Sequence, residues 1–228
     1  MIFVGLDDTD TLESRGTGHL ARHIAVTLGQ DYNVLGVTRH QLLLDPRVPC
    51  TKKNSCAAIA LEVNGQPDLD DLTERVQRLM LDSFEPGSDP GLCIAYAVPE
   101  AISQFGRRAQ QQLVTKAEAE ALAAVYGLSL VGLGGDCGGV IGALAAVGLA
   151  ATGEDGRYVS VGRSRELSGL QSVATIMQAG IAAVRTVDGQ GVSDGLVQTD
   201  KLRPARRDGQ AVAVVEWCHD HWLPLKLD

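Results

Sequence analysis

The amino-acid sequence predicts an α/β fold of the mixed α+β kind, because short apolar runs and helical patterns alternate along the chain. Strand-like runs recur from the opening IFVGL to the late AVAVVEW. Between them, apolar residues return every three or four positions, as on the buried face of a helix. With 228 residues, 45% of them hydrophobic, the chain has enough apolar material for one large or two small domains.

The first half of the chain alternates between strands and amphipathic helices. The opening strand ends near Leu6, and apolar residues then repeat at helical spacing until Gly29. Two apolar strands follow, separated by a proline-interrupted loop. A second helix begins at Pro67, where aspartates in the first turn suit the helix dipole. The predicted ranges are a helix at 18–29, one long strand or two short ones at 32–44, a strand at 56–63, and a helix from 67 to about 80.

The second half of the chain continues this alternation after a break at EPGSDPG. We expect a lobe boundary at that break, with lobes at 1–85 and 86–228. Thr115 and Glu118 form the sequence signature of a capping box and predict a helix at 115–126. The other predictions are strands at GLCIAYAV, LSLVGL, YVSVG and AVAVVEW, and helices at VIGALAAVGLAA and 168–185.

Composition and charge narrow the functional classes. The formal net charge is −8, so an RNA site would have to be a local basic patch. The five cysteines form no CxxC pair, which is typical of reduced thiols. No apolar run approaches the roughly 18 residues of a membrane span, and no signal-peptide pattern opens the chain. We therefore expect a soluble cytoplasmic protein without a membrane partner. The best basic patch for tRNA comprises Lys201, Arg203, Arg206 and Arg207.

Three carboxylates, on Asp7, Asp8 and Asp10, follow the opening strand, and open α/β sheets bind ligands outside strand ends. Two unit charges about 4 Å apart interact by about 4 kcal/mol at an effective dielectric near 20, so a divalent cation would relieve the repulsion. Magnesium takes one or two carboxylates and shares its other positions with water and phosphate. The alternative is a turn in which the aspartates accept local N–H groups.

A phosphate-binding element is predicted directly after the aspartates. Arg15, Gly16, Thr17 and Gly18 open the first helix. The free N–H groups and the positive dipole end of a helix start favour an anion, and Arg15 can add a charge-assisted hydrogen bond. Thr17 also suits a simple N-cap, and the two roles are compatible.

A second glycine-rich segment, GLGGDCGGVIGALAAVG, lies between a predicted strand and a predicted helix. There Gly138 and Gly139 would let backbone amides approach an oxyanion. Close helix packing through the small residues Gly142, Ala143 and Ala146 is the alternative explanation of the same segment.

Several motifs together resemble one known family. They are GLDDTD, a threonine seven residues after the last aspartate, DPRVP, TKKNS before a strand, DPG at 89–91, and GGVIGALAAVG. This set is similar to the archaeal tRNA-isoleucine agmatinylcytidine synthetases (TiaS) from residue 1 to about 150. GLDDTD and GGVIGALAAVG are its most specific parts.

The resemblance implies a kinase-like α/β domain followed by a ferredoxin-like one, in an enzyme that uses ATP and magnesium. Family members activate the C2 carbonyl oxygen of an anticodon cytidine, and the amine of agmatine then displaces that oxygen. By this resemblance Asp7, Asp8 and Asp10 hold metal and phosphates. Thr17 matches a threonine that is phosphorylated in the family.

The sequence also departs from the family pattern. Lys52 and Lys53 fall in a basic segment near the nucleotide, but KNSCA stands where the family has an RGNGA-like segment. Gly16 replaces a cysteine. Family members also carry an OB-fold and a zinc ribbon that act on tRNA, and we expect this chain to lack both, since it has no four-cysteine zinc set. We therefore expect an acceptor other than tRNA alone.

Other polar residues carry open alternatives. His19 and His23 are spaced like metal ligands or like exposed positions of a helix. The tail WCHDHW has zinc-ligand residue types or is a strand end. Arg163 and Arg165 follow a strand, as an anion clamp or as solvated side chains. Cys137 is a low-pKa thiol or a small packed residue.

The sequence thus favours an ATP- and magnesium-dependent ligase or kinase-like transferase, which activates an acceptor oxygen by phosphoryl or nucleotidyl transfer. The alternatives are a non-catalytic nucleotide-binding or partner-binding module, and a true tRNA-modifying ligase with a separate RNA-binding subunit. The predicted catalytic residues are Asp7, Asp8, Asp10 and Thr17. The predicted nucleotide contacts are Arg15, Gly16, Gly18, Lys52, Lys53, Gly138 and Gly139.

Overall fold

The computed structural model describes residues 1–51, 53–200 and 202–227. Its helices are α1 Thr17–Leu28, α2 Leu69–Leu81, α3 Glu100–Gln111, α4 Lys116–Val125, α5 Val140–Thr152 and α6 Val173–Gln178. Its strands are β1 Ile2–Asp7, β2 Asn33–Gln41, β3 Ser55–Glu62, β4 Gly91–Tyr96, β5 Ser129–Gly132, β6 Arg157–Ser160, β7 Leu170–Ser172, β8 Ala183–Thr186, β9 Leu196–Gln198, β10 Ala205–Arg207, β11 Gln210–Cys218 and β12 His221–Pro224.

The described strands form one sheet in the order β5-β4-β1-β3-β2-β6-β10-β11-β12-β9-β7, with β8 paired to β11. Its ladders are antiparallel except for the parallel pairs β11–β8 and β12–β9. The predicted α/β class is confirmed, in its α+β form. Strand β1 lies between β3 and β4, with Val4 opposite Ile59 and Ile94. The C-terminal end of β1 therefore has a paired strand on each side and does not lie at an edge of the sheet.

Alternate residues of β1 point to opposite faces of the sheet and belong to two different hydrophobic cores. Ile2, Val4 and Leu6 are fully buried with the apolar faces of α1 and α2. Phe3 points to the other face, where it belongs to the core that contains α3 and α5. A Cβ on the next residue of that face, Gly5, would lie 2.1 Å from a backbone oxygen of α5, so helix and strand pack backbone to backbone.

A third core lies under the strands from β6 to β12. Tyr158, Ile176 and Val215 are among its buried members. The buried guanidinium of Arg206 joins this part of the sheet to α5, because it donates to Ala150 O at 3.0 Å and to the Tyr158 hydroxyl at 2.7 Å. The C-terminal strands are therefore fixed against the end of the helix that also packs on β1.

Most predicted elements of the first 160 residues agree with the structure within a few positions. The capping box of α4 is present, since Thr115 accepts from the Glu118 N–H while Glu118 accepts from the Thr115 N–H. Strand β4 lies beyond the predicted boundary after residue 85, yet it pairs with β1 along its whole length. The two-lobe division stays a prediction. Within the described residues no helix is long and apolar enough to cross a bilayer.

The prediction of one helix over 168–185 is wrong. That segment forms β7, the short helix α6 and the beginning of β8, and Gly180 ends the helical part with φ +102°. Val173, Ile176 and Ile181 of this segment are buried in the third core, so tertiary pairing overrides the local pattern. No helix was predicted at the position of α3. The WCHDHW tail contains the end of β11, as the strand-end alternative predicts, and continues through a turn into β12, with which β11 pairs.

Candidate functional site

A cavity of about 830 Å³ lies beside the end of β1 and the beginning of α1. Its lining combines the carboxylates after β1, the first turn of α1 and the loop before β3. Cationic side chains from other elements complete the lining: Arg22 from α1, Arg39 from β2 and Arg157 from β6. Asp7, Asp8, Asp10, Arg15, Thr17 and Lys53, which sequence analysis singled out, all line this one cavity.

Asp10 fixes the beginning of α1 to the loop that follows β1. Its Oδ1 accepts from the Thr17 N–H at 3.2 Å and from the Thr17 hydroxyl at 2.9 Å. Its Oδ2 accepts from the Thr51 hydroxyl at 3.1 Å. The N-cap position is Gly16, which has no side chain to cap the helix, so the carboxylate of Asp10, six residues before Gly16, does so. The alternative explanation of the acidic run, in which aspartates accept local N–H groups, therefore describes Asp10.

Asp8 stands in a different electrostatic setting. It has φ +48°, a left-handed conformation that aspartate and asparagine tolerate better than most residues. Partial burial, and then the charges of Asp89, Asp10 and Asp136, raise the pKa of Asp8 to about 6. Four carboxylates thus lie near one another: two from the loop after β1, one from the turn before β4 and one from the glycine-rich turn before α5. A cation in this cluster would stabilise the ionised form of Asp8.

Asp7 joins the main cavity to a second cavity of about 300 Å³. Burial is the largest cause that raises the pKa of Asp7 well above its usual value, and the charges of Asp8 and Asp10 add to it. Its carboxylate rests on the backbone of α5, where a Cβ at Gly142 would lie 1.7 Å from Oδ2. The second cavity has mostly apolar walls, which include Leu42, Leu113 and Ile141.

The donor set permits a test of the predicted magnesium. Within the ranges that the structure describes, no three His, Cys, Asp or Glu side chains are already grouped around a metal position. Magnesium requires only one or two protein carboxylates when water and phosphate supply its other ligands. Asp7 and Asp8 offer such carboxylates, because both are destabilised as anions in their present surroundings. These residues fit a magnesium ion shared with a phosphate-bearing substrate, and a site of all three aspartates stays a prediction.

The glycine-rich turn approaches the same place but uses its amides locally. The Gly138 N–H donates to Asp136 Oδ1 at 2.7 Å, and the Gly139 N–H donates to Asp89 O at 3.0 Å. A Cβ at Gly139 would lie 2.3 Å from Asp89 O, which explains the glycine by close backbone packing. These hydrogen bonds occupy both amides that the prediction assigned to phosphate.

The remaining predicted nucleotide contacts differ in their surroundings. Arg15 is exposed at the cavity rim and donates to His19 Nε2 at 2.9 Å. Partial desolvation and the charges of Arg15 and Arg22 lower the pKa of His19. Lys53 is exposed and lines the cavity, whereas Lys52 lies outside the described residues.

The predicted basic patch near residue 203 does not form one surface. Arg206 is buried in hydrogen bonds to backbone and tyrosine oxygens. Arg207 donates to Glu154 O and to Arg206 O. Arg203 lies close enough to Arg22, Arg157 and Arg165 for their charges to lower its pKa, after burial as the main cause. The buried Arg206 therefore interrupts the stretch as a surface patch, and Lys201 lies outside the described residues.

Three of the other candidates, His219, His221 and Cys137, lie in turns or packing contacts. His221 Nδ1 lies 2.8 Å from Asp220 within the hairpin, and His219 holds a left-handed turn position with φ +54°. Cys137 has φ +62° and packs against Gly132, as the packing alternative predicts. No grouping of these side chains suited to a metal ion occurs in the described part of the chain.

Sequence reasoning missed several residues of the site. Asp89 lies in the DPG motif and Asp136 in the glycine-rich segment, but sequence analysis did not combine their charges with that of Asp8. Thr51 was not singled out either. Each is more than 40 residues from the partner that it meets, as the separations of 47 for Asp136 with Asp89 and 41 for Thr51 with Asp10 show. The order of antiparallel strands brings them together, and only a correct strand order could have found them.

Comparisons with known proteins agree on part of the chain. No family model matches it. The uncharacterized protein MJ0921 of Methanocaldococcus jannaschii is 26% identical over 151 residues, which are 65% of this chain and 50% of that protein. The chain thus spans about half the length of the curated relative that it matches.

Solved structures extend the comparison to three dimensions. The crystal structure of a tRNA fluorescent labeling enzyme and that of the TiaS-tRNA(Ile2)-ATP complex each superpose with a TM-score of 0.56 at 24% identity. The match covers 64% of this chain and 35% and 36% of those chains, respectively. A complex of TiaS with tRNA(Ile2), AMPCPP and agmatine matches at 23% identity with a TM-score of 0.55. About two thirds of this chain therefore shares its fold with roughly a third of TiaS, as the sequence resemblance predicts.

Proposed function

We propose that this protein is an ATP- and magnesium-dependent enzyme that transfers a phosphoryl or nucleotidyl group from ATP to an acceptor oxygen. The observation that carries the proposal is a large cavity in which under-neutralised carboxylates, a helix start and cationic side chains meet. A nucleoside triphosphate with its magnesium ion is complementary to this mixture. Its phosphates match the helix start and the cations, and its metal matches the carboxylates.

Asp7 and Asp8 would hold the magnesium ion, which supplies charge neutralisation at the phosphates. The start of α1 and Arg15 would orient those phosphates, together with Lys53 at the cavity rim. Lys52 joins this set as a prediction from sequence. Catalysis at such a site depends mainly on positioning and on electrostatic stabilisation of the transferring group.

Thr17 and Asp10 add a possible covalent step to this scheme. The Thr17 hydroxyl already donates to Asp10 Oδ1 at 2.9 Å, the arrangement of a hydroxyl whose proton a carboxylate can accept. If Thr17 takes the phosphoryl group, its Oγ1 forms the new bond to phosphorus, ADP leaves, and the proton passes to Asp10. In direct transfer the acceptor oxygen makes the same attack. Either ADP or pyrophosphate is then the product, according to which phosphorus is attacked.

The solved complexes of TiaS with ATP and with AMPCPP support ATP as the nucleotide. The same TiaS complexes contain tRNA(Ile2), and the AMPCPP complex also contains agmatine. We do not propose tRNA alone as the acceptor of this chain, because the buried Arg206 interrupts the predicted basic stretch. A tRNA-modifying ligase assisted by another RNA-binding subunit stays an alternative.

The test is ATP consumption by the wild type and by Asp8→Asn, with magnesium present and candidate acceptors supplied. Asparagine preserves the size and the left-handed tolerance of Asp8 but removes its charge. The exposed Asp194→Asn is the matched control, since it removes one carboxylate outside the cavity. We expect Asp8→Asn to lose at least about 100-fold in kcat, in the range of single electrostatic groups at active sites. Equal rates in the two variants would refute the proposal.

A non-catalytic nucleotide sensor is the second candidate, and one observation favours it. The described residues hold no preformed group of three metal ligands, and Asp10 is already engaged by Thr17 and Thr51. Calorimetry with ATP and magnesium separates the candidates when it is combined with a turnover assay. Binding without consumption, across the range of acceptors, identifies a sensor.

A further inference from the structure

The loop between β2 and β3 forms part of the wall of the main cavity. Its base is closed, because the Leu42 N–H donates to Asn54 O at 2.8 Å and the Asn54 side chain donates to Leu43 O at 2.8 Å. We call residues 44–53 the loop tip, of which the structure describes all but residue 52. Four residues of the loop tip line the cavity of about 830 Å³: Pro49, Cys50, Thr51 and Lys53. The loop tip thus carries one of the cations that the proposed function assigns to phosphate.

The loop tip has little packing of its own to fix its position. None of its described residues is buried, and Leu44 is an exposed aliphatic side chain. Asp45 accepts from the Arg47 side chain at 2.8 Å, and its carbonyl accepts from the Val48 N–H at 2.9 Å. These hydrogen bonds join neighbours and do not attach the loop tip to other elements. Because segments with few buried apolar contacts open at a low free-energy cost, the position of the loop tip depends on its tertiary hydrogen bonds.

One hydrogen bond joins the described part of the loop tip to a distant segment. The Thr51 hydroxyl donates to Asp10 Oδ2 at 3.1 Å, across 41 positions of sequence. Asp10 is itself held in place, because its Oδ1 accepts from the N–H and from the hydroxyl of Thr17. A single carboxylate therefore fastens the first turn of α1 and the loop tip together. These are two parts of the cavity wall that the proposed function assigns to phosphates.

This fastening also determines where Lys53 lies. Lys53 follows Thr51 by two positions, so their Cα atoms are at most about 7 Å apart. The Lys53 side chain is exposed in the cavity, and no salt bridge with another described residue holds it. Ordering a loop on binding costs free energy, so a lysine whose backbone is already placed binds phosphate more tightly.

We propose that Thr51 is a positioning residue: its hydrogen bond to Asp10 fixes the loop tip and thereby holds Lys53 beside the phosphates of the nucleotide. This inference rests on the proposed function in naming a nucleoside triphosphate as the ligand. Thr51 acts through its hydroxyl and needs no contact with the ligand. Serine can make the same hydrogen bond, whereas valine has the size of threonine but leaves the loop tip unfastened.

The experiment measures the affinity of the full chain for AMPCPP with magnesium by calorimetry, which requires no turnover. Thr51→Val removes the hydroxyl, Thr51→Ser retains it, Lys53→Gln removes the cation, and a double variant combines Thr51→Val with Lys53→Gln. Lys226→Gln is the control for the loss of one positive charge, since Lys226 is exposed and lies outside the cavity. Cleavage of the Thr51 variants by trypsin after Arg47 reports separately on the loop tip without any nucleotide.

We expect Thr51→Val and Lys53→Gln each to weaken AMPCPP binding about tenfold, the usual range for a lost hydrogen bond to a charged group. The double variant should also lose about tenfold rather than about 100-fold, because both changes remove the same contact. Thr51→Ser and Lys226→Gln should bind AMPCPP like the wild type. Trypsin should cleave Thr51→Val at least about fivefold faster than Thr51→Ser, because its loop tip is open more often.

Three results would overturn the proposal: wild-type affinity in either Thr51→Val or Lys53→Gln, failure of Thr51→Ser to restore the affinity, or losses that multiply in the double variant. Each would show that the Thr51 hydroxyl does not act on the nucleotide through Lys53. If the wild type does not bind AMPCPP at all, the proposed function is contradicted instead. In that case equal cleavage of the two Thr51 variants would also refute the fastening of the loop tip, and faster cleavage of Thr51→Val would support it.

Discussion

At the scale of single residues, the three aspartates after β1 have separate tasks. Asp10 caps α1 and binds Thr51, whereas Asp7 and Asp8 stay under-neutralised. Sequence analysis could place the acids at a strand end, because composition and pattern show both. It could not assign different roles to the three aspartates, because those roles depend on contacts with Thr51, Asp89 and Asp136, which come from distant segments.

Asp8→Asn should stabilise the protein at pH 8 while it harms activity. The folded pKa of about 6 exceeds the ordinary 3.8, so folding disfavours the carboxylate above that range, and this penalty disappears as the pH falls through 6 toward 3.8. Solvent screening of this partly exposed group reduces the effect to about 1 kcal/mol, or about 2–4 °C in Tm. Thermal unfolding at pH 8 and pH 4.5 checks the sign. A variant less stable than wild type at pH 8 would show that Asp8 serves the fold.

Thr17→Val tests the role of the Thr17 hydroxyl alone, because valine keeps the size of the side chain but has no hydroxyl. It removes the donor to Asp10 Oδ1 and should destabilise the start of α1 by about 1 kcal/mol, the usual range for lost capping contacts. It should also abolish any phosphorylation of the chain by ATP, which intact mass spectrometry detects. Thr17→Ser is the matched control and should retain both properties. Unchanged modification in Thr17→Val would exclude this residue as the phosphoryl carrier.

At the scale of elements, α5 determines how closely the site can be assembled. Its small residues let β1 and α3 approach its backbone, and Gly142 leaves room for the Asp7 carboxylate. The sequence could predict this helix, because packing through small residues was one explanation of GGVIGALAAVG. It could not predict the short C-terminal strands, whose three or four residues pair with partners distant in sequence.

Gly148→Ala should destabilise the protein by about 1–3 kcal/mol, as overpacked cores do. A Cβ there would lie 2.1 Å from Ile102 O, a backbone atom of α3 that cannot rotate away. Helix propensity alone predicts the opposite, a gain of roughly 1 kcal/mol. Chemical denaturation measures the difference. Gly191→Ala is the control, since nothing lies within 4 Å of its added Cβ. A stabilised Gly148→Ala protein would contradict the close α3–α5 contact.

At the scale of the whole molecule, a buried polar network ties the two halves of the sheet together. His40 of β2 lies 2.7 Å from Asp155, which precedes β6, and 2.8 Å from the Thr38 hydroxyl. Gln110 of α3 donates to the other oxygen of Asp155 at 2.9 Å. The overall α+β class could be predicted from alternating patterns. The strand order and this network could not be predicted, because residues that meet in the fold are far apart in sequence: His40 and Asp155 are separated by 115 residues.

The network should make stability fall on acidification. Burial lowers the pKa of His40 despite the nearby Asp155, so the unfolded chain takes up a proton below the ordinary 6.5 while the folded protein resists it. Stability contributed by neutral His40 is present above 6.5 and is lost as the pH falls, by up to about 1.4 kcal/mol per pH unit. Urea unfolding of the wild type and of His40→Gln from pH 7.5 to 5 measures this dependence. The variant should be less stable at pH 7.5, but its free energy of unfolding should depend less steeply on pH than that of the wild type. Identical pH dependence in the two proteins would contradict the attribution to His40.

The central claim concerns the whole assembly, namely that the cavity between β1 and α1 holds a nucleoside triphosphate through a divalent cation. The most direct measurement is a crystal structure of the full chain with AMPCPP and manganese, whose anomalous signal locates the ion independently of the nucleotide density. We predict an anomalous peak in contact with Asp7 or Asp8 and a triphosphate against the start of α1. A triphosphate bound elsewhere, or the cavity occupied without a metal ion at either aspartate, would contradict the account.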